Sequence, residues 1–174
     1  MEIEQSLLYP VREATERYRE KVTPDWVKLL RKPPFRLSPA RTARGKLGVR
    51  YERKVHARLE QSYGLEYFPS PWFAYHYRGK IRYCQPDAIL ALDPRRTLLI
   101  VEVKYSHTSD AYWQLENVYL PVLRTFLGAS SWSLATVEIC KWFDATIQFP
   151  CPVALCEDLT QARTHSFNVH ILNR

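Results

Sequence analysis

From about Gly48 to Tyr63 the apolar residues Tyr51, Val55 and Leu59 recur at every fourth position, which gathers them into one stripe of a helix, with Glu52 at its border. Beyond it the period changes. WFAYHY, then IRYC running into QPDAILAL, then TLLIVEVKY are aromatic and β-branched runs separated by turns at Arg78-Gly79-Lys80 and Asp93-Pro94, and they predict a meander of strands. A helical pattern returns from about Asp110 to Leu127. WSLATVEI, PVALC and SFNVHIL predict further strands, with a turn or short helix at EDLTQAR. Upstream, Glu13 to Val22 reads as a charged helix, and Thr23-Pro24 resembles an N-cap followed by proline at the first position of a short helix, DWVKLLRK, ended by Pro33-Pro34. The segment PPFRLSPARTARGKLG is poor in periodic apolar residues and predicts a basic surface arm.

Composition narrows the class. The 174 residues are 46% hydrophobic, enough for one compact domain with its own core. Within it, residues 1–44 read as a helical and basic N-terminal extension and residues 45–174 as the folded body. No run approaches the roughly 18 to 20 apolar residues of a membrane helix, and the opening MEIEQSLLYPVREATERYREK lacks the order of a signal peptide, so a soluble cytoplasmic protein with no membrane partner is expected. Cys84, Cys140, Cys151 and Cys156 sit in strand-like surroundings, where free thiols are expected rather than disulfides.

The net charge of +7 is not evenly spread. Lys28 to Arg58 holds eleven basic residues against the single acid Glu52, so the rest of the chain is net acidic. Such a block is either a solvated surface or a polyanion-binding one. Arg44, Lys46, Arg50 and Arg53 are the residues we would assign to phosphate contacts, which position a duplex without reading its sequence.

The candidate chemistry lies in TLLIVEVKY. Both faces of this strand are apolar through Val101, and then Glu102 and Lys104 interrupt the pattern. Residues two apart share a face, so the carboxylate and the ammonium point together while Val103 stays with Leu99 and Val101. Burying such groups is costly unless they are paired or bind something. Asp87 opens the preceding strand, and the DPRR turn would fold the two antiparallel, bringing Asp87 to Glu102. Two adjacent carboxylates repel unless a hard cation lies between them. Mg²⁺ or Mn²⁺ meets that need, with the Val103 carbonyl as a further neutral ligand. Lys104 would then stand close to a metal-bound water, able to orient it and to offset charge on a phosphate. The competing reading of the same residues is a structural salt bridge.

Pro86-Asp87, fourteen residues, then Glu102-Val103-Lys104 resembles the signature of the PD-(D/E)XK nuclease superfamily. Residues 45–140 supply a helix, three strands, a helix and a strand in the family's order. The resemblance implies an α/β fold with a restriction-endonuclease-like core: a mixed central sheet flanked by helices. It also implies hydrolysis of DNA phosphodiesters, with Asp87 and Glu102 as metal ligands and Lys104 at the water. Glu52 is similar to a metal-site glutamate that many members carry on the first core helix; its alternative is a solvated acid pairing with nearby cations. Gln114 and Tyr119 resemble the glutamine and tyrosine of RecB-like and CRISPR-adaptation nucleases. Four residues separate them here, where the family has three. Gln114 would touch a phosphate or the lysine and Tyr119 the DNA, and by resemblance the enzyme would process ends, as an exonuclease does. Some CRISPR-adaptation nucleases hold an iron-sulfur cluster through a cysteine ahead of the core; this chain has none before Cys84, so no cluster is expected.

Other signals point elsewhere. Cys151, Cys156, His165 and His170 have an unpersuasive zinc spacing, and His107 reads as an incidental loop residue. The aromatic hairpin FPSPWFAYHYRGKIRY reads as core packing, with stacking on unpaired bases as its alternative. Two rival functions remain: a non-catalytic DNA-binding module that keeps the fold, and a structural part of a recombination assembly or phage particle.

Overall fold

The 21 residues Ala43–Tyr63 form helix α1. Arg, Lys, Leu, Glu and Gln predominate and proline is absent, a composition that favours helix, and the stripe of Tyr51, Val55 and Leu59 is buried. The helix ends at Gly64, whose φ of +52° lies in the left-handed region that a side chain disfavours. The computed structural model describes residues 20–35, 43–93, 96–105, 109–140 and 167–171. The expected helix at 13–22 falls largely outside these residues. So do PVALC and EDLTQAR, and with them Cys151, Cys156, His165 and His107.

The protein has an α/β fold with two sheets. In chain order the strands are β1 (Trp26–Leu30), β2 (Tyr67–Pro69), β3 (Trp72–Tyr77), β4 (Lys80–Cys84), β5 (Ala88–Leu92), β6 (Thr97–Lys104), β7 (Ser133–Cys140) and β8 (Phe167–Ile171). The larger sheet has the order β2-β5-β6-β7-β8, antiparallel as far as β6 and parallel from β6 to β8. The smaller is antiparallel, β1-β3-β4. Between β6 and β7 the chain forms α2 (Ser109–Gln114), a π turn (Leu115–Tyr119) and α3 (Leu120–Leu127).

Three expectations are corrected. ARGKLG, expected to end the basic arm, is the start of α1, because helix-forming Arg, Lys and Leu outweigh its two glycines once the apolar stripe that follows is anchored on the sheet. DWVKLLRK is not a helix: residues 26–30 are strand β1, paired along their length with β3. An eight-residue helix is marginal in water, and the open edge of β3 satisfies the same backbone groups through long-range contacts that a local pattern does not record. The expected single meander is also divided. β4 turns back on β3, whereas β5 takes β2 as its neighbour. The β3–β4 connection is a two-residue turn, Arg78 and Gly79, both with positive φ, as a tight hairpin requires.

The larger sheet is covered on both sides. Tyr51, Val55 and Leu59 of α1 pack on Leu90, Leu99, Val101 and Val103. On the opposite face Ile89 and Ile100 meet Leu115, Leu120 and Leu123, together with Phe73 and Tyr75 of the smaller sheet. Burying each such aliphatic side chain contributes about 1.5–3 kcal/mol. Cys84 and Cys140 are buried free thiols, each pushed up to about 12 by burial, Cys140 also by the Glu138 carboxylate. Among the described residues no helix is long and apolar enough to cross a membrane.

Candidate active site

β6 threads through both cores and is buried from Leu99 to Val103, a stretch that includes Glu102 at 3% exposure. Antiparallel pairing of β5 with β6 sets Ala88 against Val101. One step further on, Asp87 stands opposite Glu102. Asp87 leaves β5 at a fixed position because the backbone around it is tied down. Its carbonyl accepts from Ser70 N at 2.8 Å, and the preceding Gln85 donates Nε2 to Ser70 O at 3.0 Å. The buried Tyr119 hydroxyl donates to Gln85 O at 3.1 Å.

Asp87 Oδ2 accepts the Val103 N–H at 2.6 Å, so Val103, singled out for its carbonyl, enters the centre through its amide. Lys104 Nζ donates to Glu102 Oε1 at 2.5 Å, and its side chain is 28% exposed against 4% for Glu102. The pair thus has a buried end and an open end. Glu102 Oε2 is buried with no hydrogen-bond partner among the described residues, an arrangement that is costly for an ionised oxygen. Burial first, then the neighbouring Glu102 carboxylate, pushes Asp87 up to about 8, with Glu52 adding to the rise; the Val103 N–H and the Lys104 ammonium pull the other way. Glu102 is also raised by burial, opposed by Lys104, with Glu52 and Glu138 adding to the rise.

Comparison with protein-family models, with curated proteins and with solved structures gave no match.

Glu52 lies on the α1 face and acts on Asp87 and Glu102 through charge, without a direct bond to either. It reaches His56 Nε2 at 3.5 Å, and His56 Nδ1 is hydrogen-bonded in turn to the Tyr67 hydroxyl. Tyr67 is pushed up to about 12 by burial and by the carboxylates of Glu60, Asp87 and Glu52. Gln114 is half-buried at the end of α2, next to the π turn, which packs on β6. In an α-helix residues five apart diverge by about 140°. The π turn, marked by Leu120 N–H bonding to Leu115 O, narrows the angle between Gln114 and Tyr119. Tyr119 is 6% exposed, so its role is inside the fold, holding the segment ahead of Asp87. Lys46, Arg50 and Arg53 are exposed along the outer side of α1; the Arg44 side chain lies outside the described residues.

One residue escaped sequence reasoning. Glu138 on β7 is fully buried and pairs in register with Glu102. Val101-Glu102-Val103 thus lies against Val137-Glu138-Ile139 in parallel, with Asp87 on the other side of Glu102. Beside this row Thr136 donates to Glu116 Oε1 at 2.7 Å. The signal was available, since an acid interrupts WSLATVEI as Glu102 interrupts β6.

Do these groups fit a divalent cation? Among the described residues no three His, Cys, Asp or Glu side chains converge as a ready-made cage. What the site offers is two facing carboxylates, both with raised pKa, and one buried oxygen without a partner. That donor set suits a hard cation which takes only one or two protein carboxylates and keeps its waters, as Mg²⁺ does.

Proposed function

We propose that this protein is a Mg²⁺- or Mn²⁺-dependent deoxyribonuclease of the PD-(D/E)XK type, with a restriction-endonuclease-like core in the larger sheet. The observation that carries the reading is the Asp87–Glu102 pair: two carboxylates held opposite each other, one oxygen buried without a partner, and Lys104 bonded to the second carboxylate from the open side. A salt bridge that served only stability would not need the second acid.

Asp87 and Glu102 would hold the ion, which when bound supplies an acidified water and neutralises charge on the scissile phosphate. The Val103 N–H fixes one Asp87 oxygen and leaves the other for the ion. Lys104, partly exposed, presents its ammonium toward the phosphate, where it orients the attacking water and offsets negative charge. Gln114 supports the lysine or a phosphate, and Glu52 adds negative charge from the α1 side. Lys46, Arg50 and Arg53 contact the DNA backbone away from the reacting atoms, so affinity should fall steeply with salt.

The test is digestion of linear and covalently closed circular DNA by wild type and Lys104→Ala, each with Mg²⁺, Mn²⁺ or EDTA. Metal-dependent cleavage lost in the variant is the expected result, and sparing of the circle would assign an end-processing exonuclease. Well-folded wild-type protein that binds DNA and cuts neither substrate would make it a binding module instead.

A further inference from the structure

The smaller sheet turns one face to the core and the other outward. Phe73, Tyr75 and Tyr77 of β3 point inward. Pairing then puts Trp26, Lys28 and Leu30 of β1, alternate residues of β3, and Ile81 and Tyr83 of β4 on the outer face. That face is aromatic. Trp26 is 42% exposed and stacks on His76 at 6.1 Å with an interplanar angle of 14°. Phe35, 52% exposed, stands edge-on to Trp72 at 5.1 Å and to Tyr83 at 6.1 Å, and Tyr83 itself is 43% exposed. Leaving three large rings this open gives up burial that folding would otherwise use.

Lys28 lies exposed on the same face, and Arg31 and Lys32 follow β1, also exposed; Lys80 and Arg82 of β4 pair with the inward Tyr77 and Tyr75 and belong to the other side of the sheet, Arg82 over the Tyr77 ring at 5.5 Å. Among the described residues, Asp25 is engaged by His76 and Glu20 by Arg78. Protein-docking patches also use aromatic rings but are depleted in lysine. Open rings beside exposed cations suit a ligand that is both flat-faced and polyanionic. We propose that the outer face of the β1-β3-β4 sheet is a stacking platform for single-stranded DNA, with bases on Trp26, Phe35 and Tyr83 and phosphates on Lys28 and on Arg31 and Lys32 at the end of β1.

The platform leads to the reaction centre. Tyr83 and Asp87 are four residues apart, no more than about 14 Å along the chain, and the intervening segment is pinned by Gln85 and Tyr119. A strand laid across Tyr83 would be delivered to the Asp87–Glu102 pair. The inference takes the class of polymer from the nuclease reading, but its test does not depend on cleavage.

In EDTA, the protein is titrated with a fluorescent thymidine oligonucleotide, with an abasic oligomer of equal length and charge, and with duplex. Stacking predicts that wild type binds the thymidine strand more tightly than the abasic one. Trp26→Ala, Phe35→Ala and Tyr83→Ala should each weaken the first by roughly 5- to 150-fold and leave the second almost unchanged. Tyr83→Phe keeps the ring and should restore binding, which separates stacking from misfolding. Equal affinity for the thymidine and abasic strands, or alanine variants that bind as wild type, would overturn the platform, whether the cause is charge alone or a protein partner on that face. Metal-dependent cleavage alongside that outcome would leave the nuclease intact, whereas aromatic-dependent binding by a protein that cuts nothing would keep the platform and remove the nuclease.

Discussion

The two sheets depart from apolar-inside, polar-outside in opposite directions. The larger places Glu102 and Glu138 in its interior, each beside valine or isoleucine, with Asp87 facing Glu102. The smaller places Trp26, Phe35 and Tyr83 in water. Either departure costs stability, the first through desolvated charge and the second through apolar surface left wet. What differs is the remedy each calls for. A cation would relieve a buried pair of carboxylates; a flat anion would suit an open aromatic face that carries Lys28. On the functions proposed above, the larger sheet is the place of chemistry and the smaller a place of binding.

The largest effect expected from breaking this division is chemical. Lys104→Ala or Glu102→Gln should lower cleavage of linear DNA by about 10²- to 10⁴-fold while circular dichroism stays that of wild type; a variant with near-normal cleavage would take the reaction away from β6. Next comes stability. Leu99→Ala, 1% exposed between α1 and the larger sheet, should cost about 2–5 kcal/mol in chemical denaturation. Trp26→Ala on the open face should cost far less, and equal costs would mean that the outer face of the smaller sheet is structural.

The third effect is a pH dependence. An unfolded aspartate titrates near 3.9, whereas the folded Asp87 carboxyl is pushed up to about 8 by burial and Glu102. The folded state therefore holds this proton more tightly, so stability is greatest below the lower value and declines as pH climbs to the higher one. Without divalent ions, thermal unfolding of wild type should fall in temperature between pH 5 and 8, and less so for Asp87→Asn. Added Mg²⁺ should reduce the decline in wild type alone, and parallel curves for the two proteins would contradict the assignment. A smaller change is expected for Tyr119→Phe, which removes the bond to Gln85 O and should cost on the order of 1 kcal/mol. Cleavage should fall with it if that bond also places Asp87. The smallest is Arg50→Ala, expected to lower the slope of log affinity against log salt by about one at constant cleavage chemistry.

Much of the centre was legible before any fold was known. Asp87, Glu102 and Lys104 stood out because each interrupts or flanks an apolar run, and a strand's period of two already put Glu102 and Lys104 together. The stripe of α1 was equally plain. Glu138 was missed although its signal has the same form, because no motif led the eye to it. β1 was misread because an N-cap pattern is local and its competitor, the free edge of β3, lies some fifty residues away. The partition of the strands was invisible for the same reason: nothing within β4 or β5 says that β4 folds back on β3 while β5 reaches past it to β2.

By itself, then, the sequence determined which segments are helix or strand where one side chain period dominates, where the positive charge lies, and which ionisable residues interrupt apolar runs that burial would tax. Tertiary structure alone decided which strands share a sheet, that a π turn brings Tyr119 under the segment leading to Asp87, and that the aromatic residues divide between core and surface. Side-chain periodicity is written in neighbours a few residues apart, whereas sheet partnership and exposure depend on segments distant in the chain meeting in space, and only their competition for the same backbone bonds and the same apolar surface settles the outcome.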